Sequence, residues 1–184
     1  METRYTSTAI LLHWLIAALI LCAAVMGLYM VELKLSPWKL KLYSWHKWVG
    51  VTIWLLVLAR ALWRLTHRPP EPAPMPRWQK AASMVTHMLL YVLMLVIPIT
   101  GWLFSSASGF PVVYLGLLQL PDLVHKNKEL AALFQTCHAV LNYTMFAVVG
   151  LHVLAAVKHH LVDRDTVLHR MLPLIPPPGA REQP

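Results

Sequence analysis

The chain has 184 residues, of which 58% are hydrophobic and only 13% charged, against about 45–50% and about 25% in a soluble globular domain. This composition excludes a disordered, fibrous, coiled-coil or ordinary soluble protein and leaves lipid as the main solvent. The charge is lopsided, with 16 Lys+Arg against 8 Asp+Glu for a formal +8, so nucleic acid stands as a partner until the topology has been read.

A helix needs about 20 mostly apolar residues to cross a hydrocarbon core. No Lys, Arg, Asp or Glu occurs between Tyr5 and Val31, which predicts a first span over about residues 8–30. This run is too long for a signal-peptide core and lacks a small-residue cleavage site after it. A second span covers about residues 44–65, and the Pro-rich segment HRPPEPAPMPRW after it, residues 67–78, reads as an extended strap. A third covers about residues 82–104, because Gly109 and Pro111 interrupt the chain beyond it. The next loop, SSASGFPVVYLGLLQLP, is unusually apolar and is expected to lie in the membrane interface or to cover the bundle end. A fourth span covers about residues 132–158. The expectation is an all-α fold, a four-helix transmembrane bundle over residues 1–173, with a Pro-rich tail at 174–184. Cys22 and Cys137 fall at different depths and read as small packing residues.

An even number of spans puts both termini on one side. That side holds 10 cations, including all eight Arg, and the opposite loops hold 6. The positive-inside rule then makes both termini cytoplasmic and the protein a multi-pass inner-membrane protein. Most of the +8 is a topology signal, and binding to nucleic acid is not required by it.

Ten His are present, five of them inside predicted spans: His13, His46, His87, His138 and His152. Ionisable residues in a bilayer are costly and usually face a bundle interior or a functional site. His138 and His152 are 14 residues apart, an advance of about 21 Å with a return to within about 40° of one direction. They share a face at two depths. His46 matches the depth of His138 near the outer side, and His13 matches His152 near the inner side. Two imidazole pairs stacked along the membrane normal suit two bis-histidine haems in a four-helix interior. Gly50 and Gly150, beside the ligands, suit either a bulky cofactor or close helix packing. Zinc or copper fits less well, because the pairs are too far apart to form one site and no carboxylate or thiolate cluster completes either. No C-x-x-C-H occurs, so the haem would be non-covalent, of b type.

His87 shares the inner depth, and it is open to a quinone or propionate contact, a helix-packing hydrogen bond or replacement of His13 as ligand. Arg60 and Arg64 form an i, i+4 pair at the inner end of the second span. They are candidates for haem propionate contacts or for snorkelling to the interface. His159, just beyond the fourth span, is a candidate proton donor to a quinone, and His67, His125 and His169 read as loop residues without a special task.

The segments LLHWL, WHKWVG, THMLLYVLML with IPITGW, CHAVLNY and GLHVLAAVKHHLVDRDTVLHRML together resemble the bacterial cytochrome b561 family over residues 1 to about 173. The resemblance is strongest to its small diheme members that oxidise superoxide and reduce ubiquinone. It extends more loosely to the diheme cytochrome b subunits of formate dehydrogenases and nickel–iron hydrogenases. It implies that His13 and His152 hold a cytoplasmic-side haem b, that His46 and His138 hold a periplasmic-side haem b, and that His87 and His159 lie toward the quinone. It implies electron transfer across the bilayer from superoxide to ubiquinone. Lys39, Lys41 and Lys47 crowd the entrance of the second span, where they could steer a small anion or bind lipid head groups. The alternative role is a relay cytochrome fed by a redox partner protein.

Overall fold

The computed structural model describes residues 4–67, 69–71 and 73–172. Four long helices dominate it: α1 (Ser7–Glu32), α2 (Pro37–Thr66), α3 (Arg77–Ser108) and α4 (Lys128–Lys158). Each is long and apolar enough to cross a membrane. Their ends are set by local chemistry. The Thr6 hydroxyl accepts from the Ala9 N–H and Ser36 from the Lys39 N–H, with Pro37 opening α2. The Asn127 carboxamide oxygen accepts from the N–H groups of Glu129 and Leu130 at the start of α4. Gly109, at φ 78, terminates α3 in the left-handed conformation and returns its N–H to the last-turn carbonyls. α1, α2 and α3 outrun the predicted spans at both ends and α4 at its start, because each helix runs on to its caps, which apolar content does not mark.

Close packing runs in a chain, α1 on α2, α2 on α3 and α3 on α4, while among the described residues no comparable packing joins α4 to α1 or to α2. The core of the first three helices is Ile16, Ile53 and the fully buried Val57, flanked by Tyr91, Met94 and Leu95. Outside it the usual distribution is inverted: Leu11, Leu21, Leu62 and Leu154 are all more than 60% exposed, as a lipid-facing surface requires.

Two short connections complete the fold. Between α3 and α4, β1 (Val113–Tyr114) and β2 (Leu118–Gln119) form an antiparallel hairpin with Tyr114 opposite Leu118. Beyond α4 the chain makes a π-turn over His159–Asp163, reverses at Arg164 (φ 52) and forms α5 (Val167–Met171). α5 docks on the start of α1: the Trp14 indole donates to the Met171 carbonyl at 2.7 Å, and Arg4 donates to His169 Nε2 at 2.5 Å. His169 is buried, which corrects its reading as an idle loop residue. Five residues are too few to show helical periodicity, so sequence patterning could not reveal α5. These contacts also put the described chain ends on one side of the bundle, called here the terminal end. The strap is non-helical where described, but α3 begins within it at Arg77, and Ala73 is buried. Arg170 donates to the Glu71 carbonyl, fastening the strap to α5. The Pro-rich tail at 174–184 lies outside the described residues.

Val57→Ala should lower stability by about 2 kcal/mol, since a fully buried site loses two methyl groups and gains a cavity. Leu21→Ala, at a side chain 67% exposed, should change it far less. Thermal unfolding followed by circular dichroism in detergent checks both.

Candidate cofactor site

The histidines of the helices gather at two levels. Toward the hairpin end, the rings of His46 (α2) and His138 (α4) have centroids 6.3 Å apart with planes crossed at 82°. Toward the terminal end, His13 (α1) and His152 (α4) have the same separation, 6.3 Å, with planes crossed at 64°. Both pairs span the gap between α4 and its two loosely packed neighbours. Along α4 the levels are 14 residues, or about 21 Å, apart.

The residues fit haem ligation on geometry. An imidazole nitrogen ligates a metal at about 2.0 Å and lies about 1.1 Å from its ring centre, so rings on opposite sides of one iron stand about 6 Å apart. Both pairs meet that distance. His87 approaches His152 more closely, at 5.3 Å, shorter than the about 6 Å expected of two rings that would share one iron. Its Nδ1 instead lies 3.3 Å from Ser83 Oγ on its own helix.

The ring of His138 is held by the IPITG stretch of α3. Pro98 interrupts the backbone ladder there, and Nδ1 lies 3.0 Å from the Ile97 carbonyl and 3.1 Å from Thr100 Oγ1. A carbonyl only accepts, so Nδ1 carries the proton and Nε2 presents its lone pair, the state a metal ligand needs. A Cβ on Gly101 would stand 3.0 Å from His138 Cε1, and one on Gly27 would stand 3.4 Å from His46 Cε1. Each ring therefore lies against the bare backbone of a neighbouring helix. His46 Nδ1 is buried and forms no well-aligned hydrogen bond, and the Ala23 backbone of α1 is the group that approaches the ring as an acceptor. At Gly50 and Gly150, singled out from sequence, a Cβ would meet nothing within 4 Å.

The remaining candidates divide by level. Arg60 donates to the Ala9 carbonyl at 2.9 Å and to the Tyr91 hydroxyl at 3.1 Å. Ala9 and Tyr91 each lie one turn from a histidine, His13 and His87. Arg64 shares with Arg60 a small cavity of about 30 Å³ that also meets Tyr5 and Trp63, room for a water or two but not for a macrocycle. His159 donates from Nδ1 to Asp165 at 2.6 Å, with Asp163 at 3.1 Å, and Lys158 lies 2.6 Å from Asp163. His159, Asp163 and Asp165 offer three grouped ligand atoms, though the Lys158 ammonium already supplies a cation there. At the hairpin end, Lys39 donates to the Leu33 carbonyl, Lys41 lies over the Trp45 ring at 5.0 Å, and Lys47 donates to the Phe110 and Pro111 carbonyls.

Sequence reasoning missed Gly27, Gly101, Thr100, Tyr91 and the two aspartates. All act across helix or loop contacts, so spacing within one element carries no mark of them. Pro98, two residues before Thr100, is the local signal that could have pointed to the His138 cradle.

Known proteins resemble this chain along nearly its whole length. The family model for prokaryotic cytochrome b561 matches residues 4–174. The chain is 31% identical over 171 residues to "Cytochrome b561 homolog 2" of Escherichia coli (strain K12), covering 92% of this chain and 91% of that one. It is 30% identical over 174 residues to "Cytochrome b561 homolog 1" of the same organism, covering 92% and 97%. It is also 30% identical over 181 residues to "Probable superoxide oxidase CybB" of Yersinia pestis, covering 94% and 98%.

Gly101→Ala should displace the His138 ring and weaken or shift the b-type absorption of the hairpin-end level. Gly150→Ala, which fills open space, should leave the spectrum unchanged. Reduced-minus-oxidised difference spectra of the two purified variants check this.

Proposed function

The chain belongs to the prokaryotic cytochrome b561 family, and from that premise we propose that it carries electrons between two b-type haems stacked across the bacterial inner membrane, from superoxide outside to ubiquinone inside. Membership makes it a membrane cytochrome b with an electron-transfer function and b-type haem. The observation that carries the finer reading is the pair of histidine couples, each at 6.3 Å, one near either end of the bundle. His46 and His138 hold the haem on the periplasmic side, and His13 and His152 the haem on the cytoplasmic side. The cytoplasmic placement of the termini rests on the Arg excess at the terminal end.

Bound haem supplies a one-electron centre at each level. Everything else falls to the chain. Ile97 and Thr100 fix the tautomer and plane of His138, and Gly27 and Gly101 let the two periplasmic rings approach the backbone. Arg60 and Arg64 place positive charge beside His13 and His87, where propionates could be neutralised. Lys39, Lys41 and Lys47 keep positive charge at the periplasmic mouth, where it can draw in a small anion. His87 and His159 lie on the quinone side, with the His159 ring held at Nδ1 by Asp165.

The donor half needs no general base, because each superoxide loses only an electron and leaves as dioxygen. Two such losses, with two protons from the cytoplasm, convert ubiquinone to the quinol. Superoxide as donor is supported by the likeness to the Yersinia pestis protein named as a probable superoxide oxidase.

His46→Ala and His138→Ala should each halve the pyridine haemochrome count, removing the periplasmic haem, while His13→Ala and His152→Ala should remove the cytoplasmic one. His87→Ala should retain both. Two haems in His13→Ala and one in His87→Ala would move the ligand to His87. Purified wild type with a ubiquinone analogue should form quinol on addition of a superoxide source. Haems reduced only by an added partner protein would replace the oxidase reading with a relay.

A further inference from the structure

We propose that the hairpin between α3 and α4 is a lipid anchor, inserting Phe110, Leu115, Leu117 and Leu118 into the boundary between head groups and acyl chains of the leaflet at its own end of the bundle. The first observation is its surface. Leu117 is 89% exposed, Phe110 63%, Leu118 59% and Leu115 52%, and no charged residue occurs between Lys80 and Asp122. A contiguous apolar patch of this kind marks an interaction surface.

The second observation is the turn. Leu115 and Gly116 both have positive φ, 53° and 73°, and the Leu117 N–H closes on the Tyr114 carbonyl at 3.0 Å, as in a mirror-image hairpin turn. The first central position of such a turn favours Asn, Asp or Gly, and a leucine there is strained. A polar residue would relax the backbone and suit water. Leucine is the better residue only where its side chain leaves water.

The third observation chooses the occupant. The feet of the hairpin are held by tryptophans: the Trp48 indole donates to the Val113 carbonyl at 2.6 Å and the Trp102 indole to the Pro121 carbonyl at 3.1 Å. Tryptophans at span ends sit at the head-group level, so these bonds fix the hairpin at the depth of the interface. Lys47 takes the Phe110 and Pro111 carbonyls, and the Tyr114 hydroxyl meets Thr52 Oγ1 at 3.0 Å. Several of the loop's polar groups are thus satisfied against α2 while its apolar side chains point away. The patch continues the outward apolar surface of the helices, which already faces lipid, and lipid is its occupant.

The test uses the haem-loaded protein in nanodiscs of phosphatidylcholine and phosphatidylglycerol. Cys22 and Cys137 are replaced by alanine, and Leu117→Cys carries an environment-sensitive fluorophore. Insertion by about 5–10 Å predicts blue-shifted emission that falls about twofold with a nitroxide lipid labelled high on the acyl chain and is insensitive to aqueous iodide. A label at Lys128→Cys should respond to iodide instead. Quenching of the Leu117→Cys label by iodide and not by the nitroxide lipid would put the tip in water and overturn the proposal. Blue-shifted emission untouched by either quencher would also overturn it, assigning the surface to a protein partner or a second copy. Adding Leu115→Asn should leave the b-type spectrum intact and move the emission to the red. An unchanged emission would show that Leu115 is not in lipid.

Discussion

A neutral imidazole inside hydrocarbon has to find a partner, because water is absent and an unpaired ring nitrogen is expensive there. This chain places five such rings inside its spans, and the bundle is organised around where they go. Two meet across α2 and α4, two meet across α1 and α4, and the fifth approaches His152 from α3. The gaps that set α4 apart from α1 and α2 follow from the same constraint. Helices that closed fully around small side chains would leave no room between facing rings, whereas α3, whose His87 lies against Ser83 of its own helix, packs tightly on α4.

The rest of the architecture serves to hold those levels. The core of Ile16, Ile53 and Val57 locks α1, α2 and α3 together and so fixes the register of His13 and His46. α4 is tied to α3 at His138 by the Ile97 carbonyl and Thr100, and its far end is tied back to α1 through α5. Arg60 links α2 to both α1 and α3 beside the second level. Each clamp is polar and lies next to a histidine, while apolar packing fills the space between the levels.

Much of this was legible in the chain, for reasons that can be named. Charge-free runs marked the spans because lipid excludes charge. The depth match between His13 and His152, and between His46 and His138, was legible because helical rise is constant. What spacing could not carry was tertiary register. Gly50 and Gly150 were singled out because they neighbour ligands on the same helix, yet the glycines the rings touch are Gly27 and Gly101, on the helices opposite. How near His87 comes to His152, 5.3 Å against 6.3 Å for His13, is a distance that no single helix encodes. The aspartates on His159 depend on a π-turn and a left-handed Arg164, local geometry without a periodic signature.

The central claim is that the chain holds two irons, each between crossed imidazole planes. Electron paramagnetic resonance of the oxidised, haem-loaded protein tests it most directly, because strongly crossed axial imidazoles give highly anisotropic low-spin ferric signals. With planes at 64° and 82°, the expected result is two distinct signals of that kind. His138→Ala should remove one and His13→Ala the other. A single low-spin signal, or a high-spin ferric signal in the unmodified protein, would contradict the account.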